Sequence, residues 1–427
     1  MKRIPLLSTL LLSLAAGAAL AQAPATGPLL IENARVAVIG DSITEQKLYS
    51  KYIECYLLAC TGRQDIRVFQ FGWSGERADG FANRLANDLA VFQPTVATTC
   101  YGMNDGSYQP YNDAIGSAYE ANMRRVIAGL KAAGVQRVVV GSPGGVDPDF
   151  FTRPTLEGAV YNDNLAHLRD IAKKLAGENG LAFANVHDTM MEALPKAKAA
   201  LGKGYAPFGG DGFHPAPAGQ LLMAMAFLKG LGLDGNIGTV TVDLAAGGAA
   251  TASDGHRVLG ATGGAVELES TRWPFCFDAS PSDAGSTRSI LPHCTFNQDL
   301  NRLTLVVKGL TAAKAKVSWG GETKEYTREQ LEAGINLAAD YTATPFDGAF
   351  KGLIDAVGAK QAYETLAIKN LVTHFRGFAD EAKADPEFGA ALDTLKRKIG
   401  EKHARLDEAA RAKVVPVKHT IRVEPLP

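Results

Sequence analysis

The stretch ARVAVIGDSITEQ, residues 34–46, runs from an apolar segment straight into Gly40-Asp41-Ser42 and a polar turn. A short, unbroken apolar run bounded by turn residues reads as a buried strand, and the residues after it have helical character. Ser42 admits two readings. With Glu45 it has the S-x-x-E spacing of a capping box, in which the serine oxygen and the glutamate carboxylate satisfy the first free amides of a helix. It also stands at the carboxyl end of a strand, where α/β sheets gather their functional groups. The rest of the chain decides between cap and nucleophile.

The pattern repeats. The runs DIRVFQFG (65–72), TVATTCYG (95–102), RVVVGSPG (137–144) and LAFANVHD (181–188) are each trailed by an amphipathic segment. Continuous apolar strands separated by helices imply an α/β unit with a parallel five-stranded sheet covered on both faces. The helix GQLLMAMAFLKGLG (219–232), with Leu221, Leu222, Met225 and Leu228 on one face, closes a first domain over residues 30–232. GLDGNIG (232–238) reads as a linker. From Thr239 to about Tyr326 the alternating runs TVTVDL, AVELES, RLTLVVKG and AKVSWGG predict a small antiparallel β unit. Helices are expected again over 329–339, 346–375 and 386–412, the last with Leu392, Leu395, Ile399 and Leu406 on one face. HTIRVEP (419–425) predicts a strand returning to the β unit. Residues 239–427 thus form an expected C-terminal accessory domain, β-rich and α-helical, and a chain of 427 residues is long enough for two cores.

The first 21 residues have a basic start at Lys2 and Arg3, a leucine-rich centre and an Ala19-Leu20-Ala21 ending, the layout of a cleavable export signal. A secreted or periplasmic protein is expected, with no later run long enough to span a bilayer. Without Lys2 and Arg3, the 44 basic residues become 42 against 45 acidic ones, a net charge of −3. The basic side chains are scattered, so nucleic acid is not an expected partner. The five cysteines are an odd number in a compartment that permits disulfides. Cys276 and Cys294 flank a Ser/Pro/Asp/Gly-rich loop and are the expected bridge, whereas Cys55, Cys60 and Cys100 have no assigned pairing. No Cys or His pair has structural-zinc spacing, so neither a metal nor a cofactor is expected.

A serine hydroxyl needs a histidine to take its proton and a carboxylate to orient the imidazole. Asp211-Gly-Phe-His214 is the one Asp-x-x-His in the chain. Pro215 biases His214 away from helical geometry, so the imidazole should project from a loop. His187, beside Asp188 at the end of the fifth run, is the competing base; on an extended strand these two neighbours would point to opposite sides. An acyl-transfer site also needs donors for a tetrahedral oxyanion. Gly75 in FGWSG (71–75) and Asn104 in YGMND (101–105) follow the second and third runs and are the candidates.

These blocks together resemble the SGNH hydrolases, also called GDSL esterases and lipases, in the GDSIT variant. Gly40, Asp41 and Ser42 match G-D-S; Gly75 matches the lone glycine; Gly102, Asn104 and Asp105 match G-x-N-D; Asp211 and His214 match D-x-x-H. The resemblance covers about residues 34–232. It implies a flavodoxin-like three-layer α/β/α fold, Ser42 as nucleophile, His214 as base and Asp211 as its orienter. It further implies an oxyanion hole of the Ser42 and Gly75 amides with Asn104, and leaves Glu45 free to cap the helix regardless. The expected activity is hydrolysis of a carboxylic ester through an acyl-serine, on a small-molecule or polysaccharide ester, with O-acetyl groups of a carbohydrate preferred. Trp73 and Met103 are the candidate substrate contacts. The loops 106–114 and 142–150 are polar with isolated aromatics, which suits a sugar better than a long acyl chain. A lipase or lysophospholipase is the alternative enzyme, and a non-catalytic glycan-binding protein the alternative to an enzyme.

Overall fold

The computed structural model describes residues 28–278 and 282–427; the expected export signal lies outside them. Five parallel strands, β1 (Arg35–Gly40), β2 (Arg67–Gly72), β3 (Val96–Cys100), β4 (Arg137–Gly141) and β5 (Ala182–Ala184), lie in the order β2-β1-β3-β4-β5. Alternation sorts their side chains onto two buried faces. Val36, Val38, Val68, Val96 and Val139 pack with Tyr49, Ile53 and the helix Pro217–Gly230. Ala37, Ile39, Phe69, Phe71, Ala97, Val138 and Val140 pack under the helices Ala78–Ala90, Asp113–Ala132 and Gly158–Glu178. This is the three-layer α/β/α arrangement.

The carboxyl ends of the strands are level. Gly72 lies opposite Gly40, Gly40 opposite Cys100, Cys100 opposite Gly141, and Gly141 opposite Ala184. A Cβ on Gly72 would stand 2.3 Å from the Glu45 amide nitrogen, and one on Gly40 would stand 2.2 Å from Thr44 Oγ1. Glycine there lets the turn after β1 fold directly over the strand ends.

Some expectations are corrected. The fifth run forms a strand only over Ala182–Ala184, because Asn185 accepts from the Asp188 amide and caps the helix Val186–Leu201, which takes in His187 and Asp188. The helix Pro217–Gly230 is buried on every side from Ala218 through Leu228, not on one face, since the C-terminal region covers its outer side. The Cys276–Cys294 bridge is not formed. Both residues are thiols: Cys276 Sγ lies against Pro274 O and Thr344 Oγ1, and Cys294 Sγ against Leu291 O. The 3-10 turn Thr287–His293 holds its end of the loop by backbone and side-chain bonds instead.

The C-terminal region has two sheets. Four strands run in the order Ile335–Asn336, Arg302–Lys308, Asn236–Asp243, Ala249–Ala252. Five run in the order Glu322–Thr327, Lys314–Trp319, Val417–Pro425, Ala265–Ser270, His256–Thr262. The final strand therefore returns to the β unit and sits at the centre of its sheet. The unit is not wholly antiparallel, because Arg302–Lys308 pairs in parallel with Asn236–Asp243.

The helices Asp347–Asn370 and Pro386–Arg411 come back to the α/β unit and cover β2, its open edge. An open edge presents unpaired amides and carbonyls. Here Glu364 Oε2 accepts from the Gln70 amide at 2.9 Å and Lys360 Nζ donates to Val68 O at 2.5 Å. Lys360 is itself held between Glu54 at 2.8 Å and Glu364 at 2.9 Å, and His403 reaches Glu364 at 2.6 Å. All four side chains are buried.

Candidate active site

Asp41 follows the last residue of β1, and its carboxylate accepts from the Ile43 amide at 2.9 Å. Asp41, not Ser42, is therefore the cap of the short helix Ser42–Glu45. Burial raises the Asp41 pKa to about 7; the Ile43 hydrogen bond opposes this, while Asp105 and Glu76 add to it. Relieved of capping, Ser42 places its Oγ 2.9 Å from His214 Nε2. Glu45 does not cap either. Its carboxylate accepts from the Ser74 amide at 2.5 Å and from Lys369 Nζ at 2.9 Å.

His214 projects from the loop before the helix Pro217–Gly230. Its Nδ1 lies 2.7 Å from Asp211 Oδ2, while Asp211 Oδ1 accepts from the amides of Phe213 at 3.1 Å and His214 at 3.0 Å. Partial burial would raise the Asp211 pKa, but the bonds from the His214 ring and the two amides outweigh it and hold the carboxylate below its ordinary value. Ser42, His214 and Asp211 thus form one hydrogen-bonded line across 172 residues of sequence. His187 is bonded elsewhere, to Asp188 at 2.8 Å with Arg169 alongside. A helical turn, not a strand, brings that neighbouring pair together.

The loops after β2 and β3 are tied side by side. Asp105 accepts from the Ala78 and Gly102 amides, both at 3.0 Å, and Asn104 Nδ2 donates to Glu76 O at 3.1 Å. Burial pushes the Asp105 pKa up to about 6 against those two amide bonds. Tyr108 OH donates to Asn104 Oδ1 at 3.3 Å, fixing which way the amide group faces. Glu76 is pinned by Arg84 at 2.7 Å and by Tyr101 OH at 2.7 Å. Gly75 adopts φ +73°, a left-handed conformation, and a Cβ there would meet nothing within 4 Å, so the backbone is open towards the site.

Two shallow depressions meet at Ser74. One, of about 310 Å³, is lined by Ser42, Glu45, Gln46, Lys47, Ser74 and His214. The other, of about 380 Å³, is lined by Trp73, Gly75, Arg77, Asp79 and Arg376 among others. Trp73 is half-buried, with Arg84 4.9 Å and Lys369 5.2 Å from its ring centre. Met103 is not a substrate contact: its side chain is buried, and its carbonyl accepts from Tyr161 OH. Being wedged between two bonded loop residues turns it into the core. Sequence reasoning missed Tyr108 and Lys369. Tyr108 carried a signal, four residues past Asn104 in an otherwise polar loop, and Lys369 carried none.

A serine hydroxyl bonded to an imidazole, itself bonded to a carboxylate, at the carboxyl end of a parallel sheet is the arrangement that serine hydrolases of α/β/α architecture use. Residues 38–222 match the GDSL-like Lipase/Acylhydrolase family, and the chain is a hydrolase of ester bonds. Among solved structures, a gut microbial diltiazem-metabolizing enzyme is 19% identical, covers 92% of this chain and 98% of its own, and superposes with a TM-score of 0.71. That likeness extends the shared fold through the C-terminal region. An acetyl-xylooligosaccharide esterase from Geobacillus Stearmophilus is 22% identical over 48% of this chain and 96% of its own, with a TM-score of 0.39. A putative GDSL-like lipase from Parabacteroides merdae is 21% identical over 48% and 97%, with a TM-score of 0.41. No curated protein matches the chain.

Proposed function

We propose that this chain is an exported serine esterase that removes small acyl groups, acetyl above all, from a carbohydrate. The observation that carries the mechanism is the line Ser42 Oγ to His214 Nε2 to Asp211, at 2.9 and 2.7 Å. In this reading His214 Nε2 takes the Ser42 proton as Oγ attacks the ester carbonyl. Asp211 holds Nδ1–H and stabilises the imidazolium that forms. The oxyanion is met by the Ser42 and Gly75 amides and by Asn104 Nδ2, one of whose two hydrogens is left over by the bond to Glu76 O. His214 then protonates the leaving alkoxide, and a water activated by the same nitrogen hydrolyses the acyl-serine.

The substrate class rests on the surroundings of Ser42. The depression there is shallow and its walls, Glu45, Gln46, Lys47 and Ser74, are polar. A long acyl chain would find no apolar groove among them, whereas an acetyl group needs none. The adjoining depression offers the Trp73 ring beside the polar groups of Arg77, Asp79 and Arg376, a mixture suited to a sugar. The test is a p-nitrophenyl ester series with acetate release from acetylated xylan measured in parallel. Rates should peak at acetate and fall steeply beyond about four carbons, since each methylene in a true acyl groove would instead add about 0.8 kcal/mol of binding. Rates that climb to octanoate, with no acetate released from the polymer, would favour a lipase.

A further inference from the structure

Lys369 is near the end of the helix Asp347–Asn370, yet its ammonium reaches Glu45, which lines the depression at Ser42. It donates to both oxygens of Glu45 at 2.9 Å and sits 5.2 Å from the centre of the Trp73 ring. Glu45 belongs to the same helical turn as Ser42, and its other partner is the amide of Ser74. Lys369 therefore touches the two residues that flank the approach to Gly75: Trp73 directly, and Ser74 through Glu45. The pair is not a loose surface contact, with side chains only 27% and 19% exposed.

Resting on the assignment of Gly75 to the oxyanion hole, we infer that Glu45 and Lys369 are positioning residues for that hole, so that the C-terminal region completes the esterase site. Gly75 has left-handed backbone, no side chain and no packing neighbour at its Cβ position, so its amide is aimed only by the turn around it, which Glu76 N closes on Trp73 O at 3.1 Å and Trp73 N anchors to Gly40 O at 3.0 Å. Its orientation is set by what holds residues 73, 74 and 76. Glu76 is clamped by Arg84 and Tyr101 from within the α/β unit. Ser74 is held by Glu45, and Glu45 has the Lys369 cation as its charge partner. Without Lys369, Glu45 loses the one ammonium bonded to its carboxylate, and Lys47, whose Nζ is spent on the Glu45 carbonyl, leaves it freer to swing towards water and release the Ser74 amide. Lys369 lines neither depression and Glu45 only borders the acyl one, so the loss would appear mainly when negative charge develops on the carbonyl oxygen.

The test uses the full-length enzyme and p-nitrophenyl acetate. Lys369→Ala and Glu45→Ala should each lower kcat by on the order of tenfold to a hundredfold, the scale of a displacement of about an ångström, with KM changed by no more than about twofold. The double variant should be no worse than either single one, because both break the same tether. Lys369→Arg should restore most of the rate. End-point labelling of Ser42 with a fluorophosphonate counts folded sites, and rates are expressed per labelled site. A wild-type kcat per labelled site in Lys369→Ala, or additive losses in the double variant, would overturn the inference. Retained activity in Ser42→Ala would instead remove the triad reading itself, so the two failures are distinguishable.

Discussion

The carboxylate of Glu364 accepts a hydrogen bond from the backbone amide of Gln70 at 2.9 Å, joining residues 294 positions apart. Gln70 is on β2, the edge strand of the parallel sheet, and Glu364 occupies the place a further strand would take. One helical turn earlier, Lys360 serves the Val68 carbonyl on the same edge. A helix thus closes the sheet through side chains, with the ions that do so paired to one another in the interior.

Removing one partner of a buried ion pair leaves an uncompensated charge, which typically costs about 3–5 kcal/mol. Glu364→Ala would strand Lys360 with less compensation and leave the Gln70 amide without an acceptor. We expect a loss of about that size in urea unfolding. Glu364→Gln, which keeps an acceptor for Gln70, should cost less. The exposed pair Lys351–Asp355 on the same helix should show no measurable effect when neutralised. Equal losses at the two pairs would mean that the edge closure contributes nothing particular.

For the reaction, Ser42→Ala and His214→Ala should each lower kcat by about 10⁶-fold, the scale seen where triad members act as a unit, with a smaller loss for Asp211→Ala. Asn104→Ala should cost on the order of 10²–10³ as the loss of one oxyanion donor. Tyr108→Phe tests the orientation of that amide group and should lower kcat less than Asn104→Ala does. If Ser42→Ala keeps more than a tenth of the activity, the nucleophile lies elsewhere.

Acid sensitivity should arise partly in the C-terminal sheets. Trp319 Nε1 donates to His419 Nδ1 at 3.1 Å, so His419 is a neutral imidazole whose Nε2–H donates to Ser270 Oγ at 2.9 Å. Ser270 then donates to His256 Nδ1 at 2.8 Å, and His256 Nε2–H to Ile237 O at 3.0 Å. Burial, with His256 nearby, depresses the His419 pKa from 6.5 to about 4, and burial lowers that of His256 as well. Between those values the unfolded chain binds more protons than the folded one, so stability rises with pH there. The contribution is complete above about pH 6.5 and fades towards pH 4, a change of roughly 3 kcal/mol from His419. The difference in unfolding free energy between pH 7 and pH 4.5 should shrink in His419→Gln. An imidazole signal for His419 that titrates near 6.5 in the folded protein would contradict this account.

The parallel sheet was legible because strands buried on both faces are apolar without interruption, and β1 to β4 fall inside the runs that predict them. The cap after β1 is one residue earlier than the Ser42–Glu45 spacing alone suggests. Asp41 and Ser42 are both good caps, and only the folded turn decides which oxygen meets Ile43 N. The run LAFANVHD reads as strand through His187, although Asn185 with Asp188 carries a cap signal of its own. Asp211 and His214 could be read because three residues separate them and both are chemically distinctive. The Lys369–Glu45 contact could not, because it spans 324 residues and a single lysine on an amphipathic helix looks like any solvated one. Local patterns reveal strands, caps and short motifs, whereas the contacts that bring the C-terminal helices to the site join residues hundreds of positions apart and depend on the whole fold.

The C-terminal region also bears on the alcohol half of the substrate. The depression past Gly75 draws Trp73, Arg77 and Asp79 from the loop and helix after β2, and Arg376 from the C-terminal 3-10 turn Val372–Phe378, where its Nη1 donates to Asn83 O at 3.3 Å. A p-nitrophenol leaving group is too small to need this surface, whereas an oligosaccharide extends across it. Arg376→Ala should therefore leave kcat/KM on p-nitrophenyl acetate within about twofold of wild type. On acetylated xylo-oligosaccharides, losing one hydrogen bond from a charged group, about 1.5–3 kcal/mol, should lower kcat/KM by on the order of tenfold to a hundredfold. The contrast isolates the sugar, because both substrates deliver the same acetyl group to the same serine. Equal effects on the two substrates would place the sugar elsewhere and remove the role given to this depression.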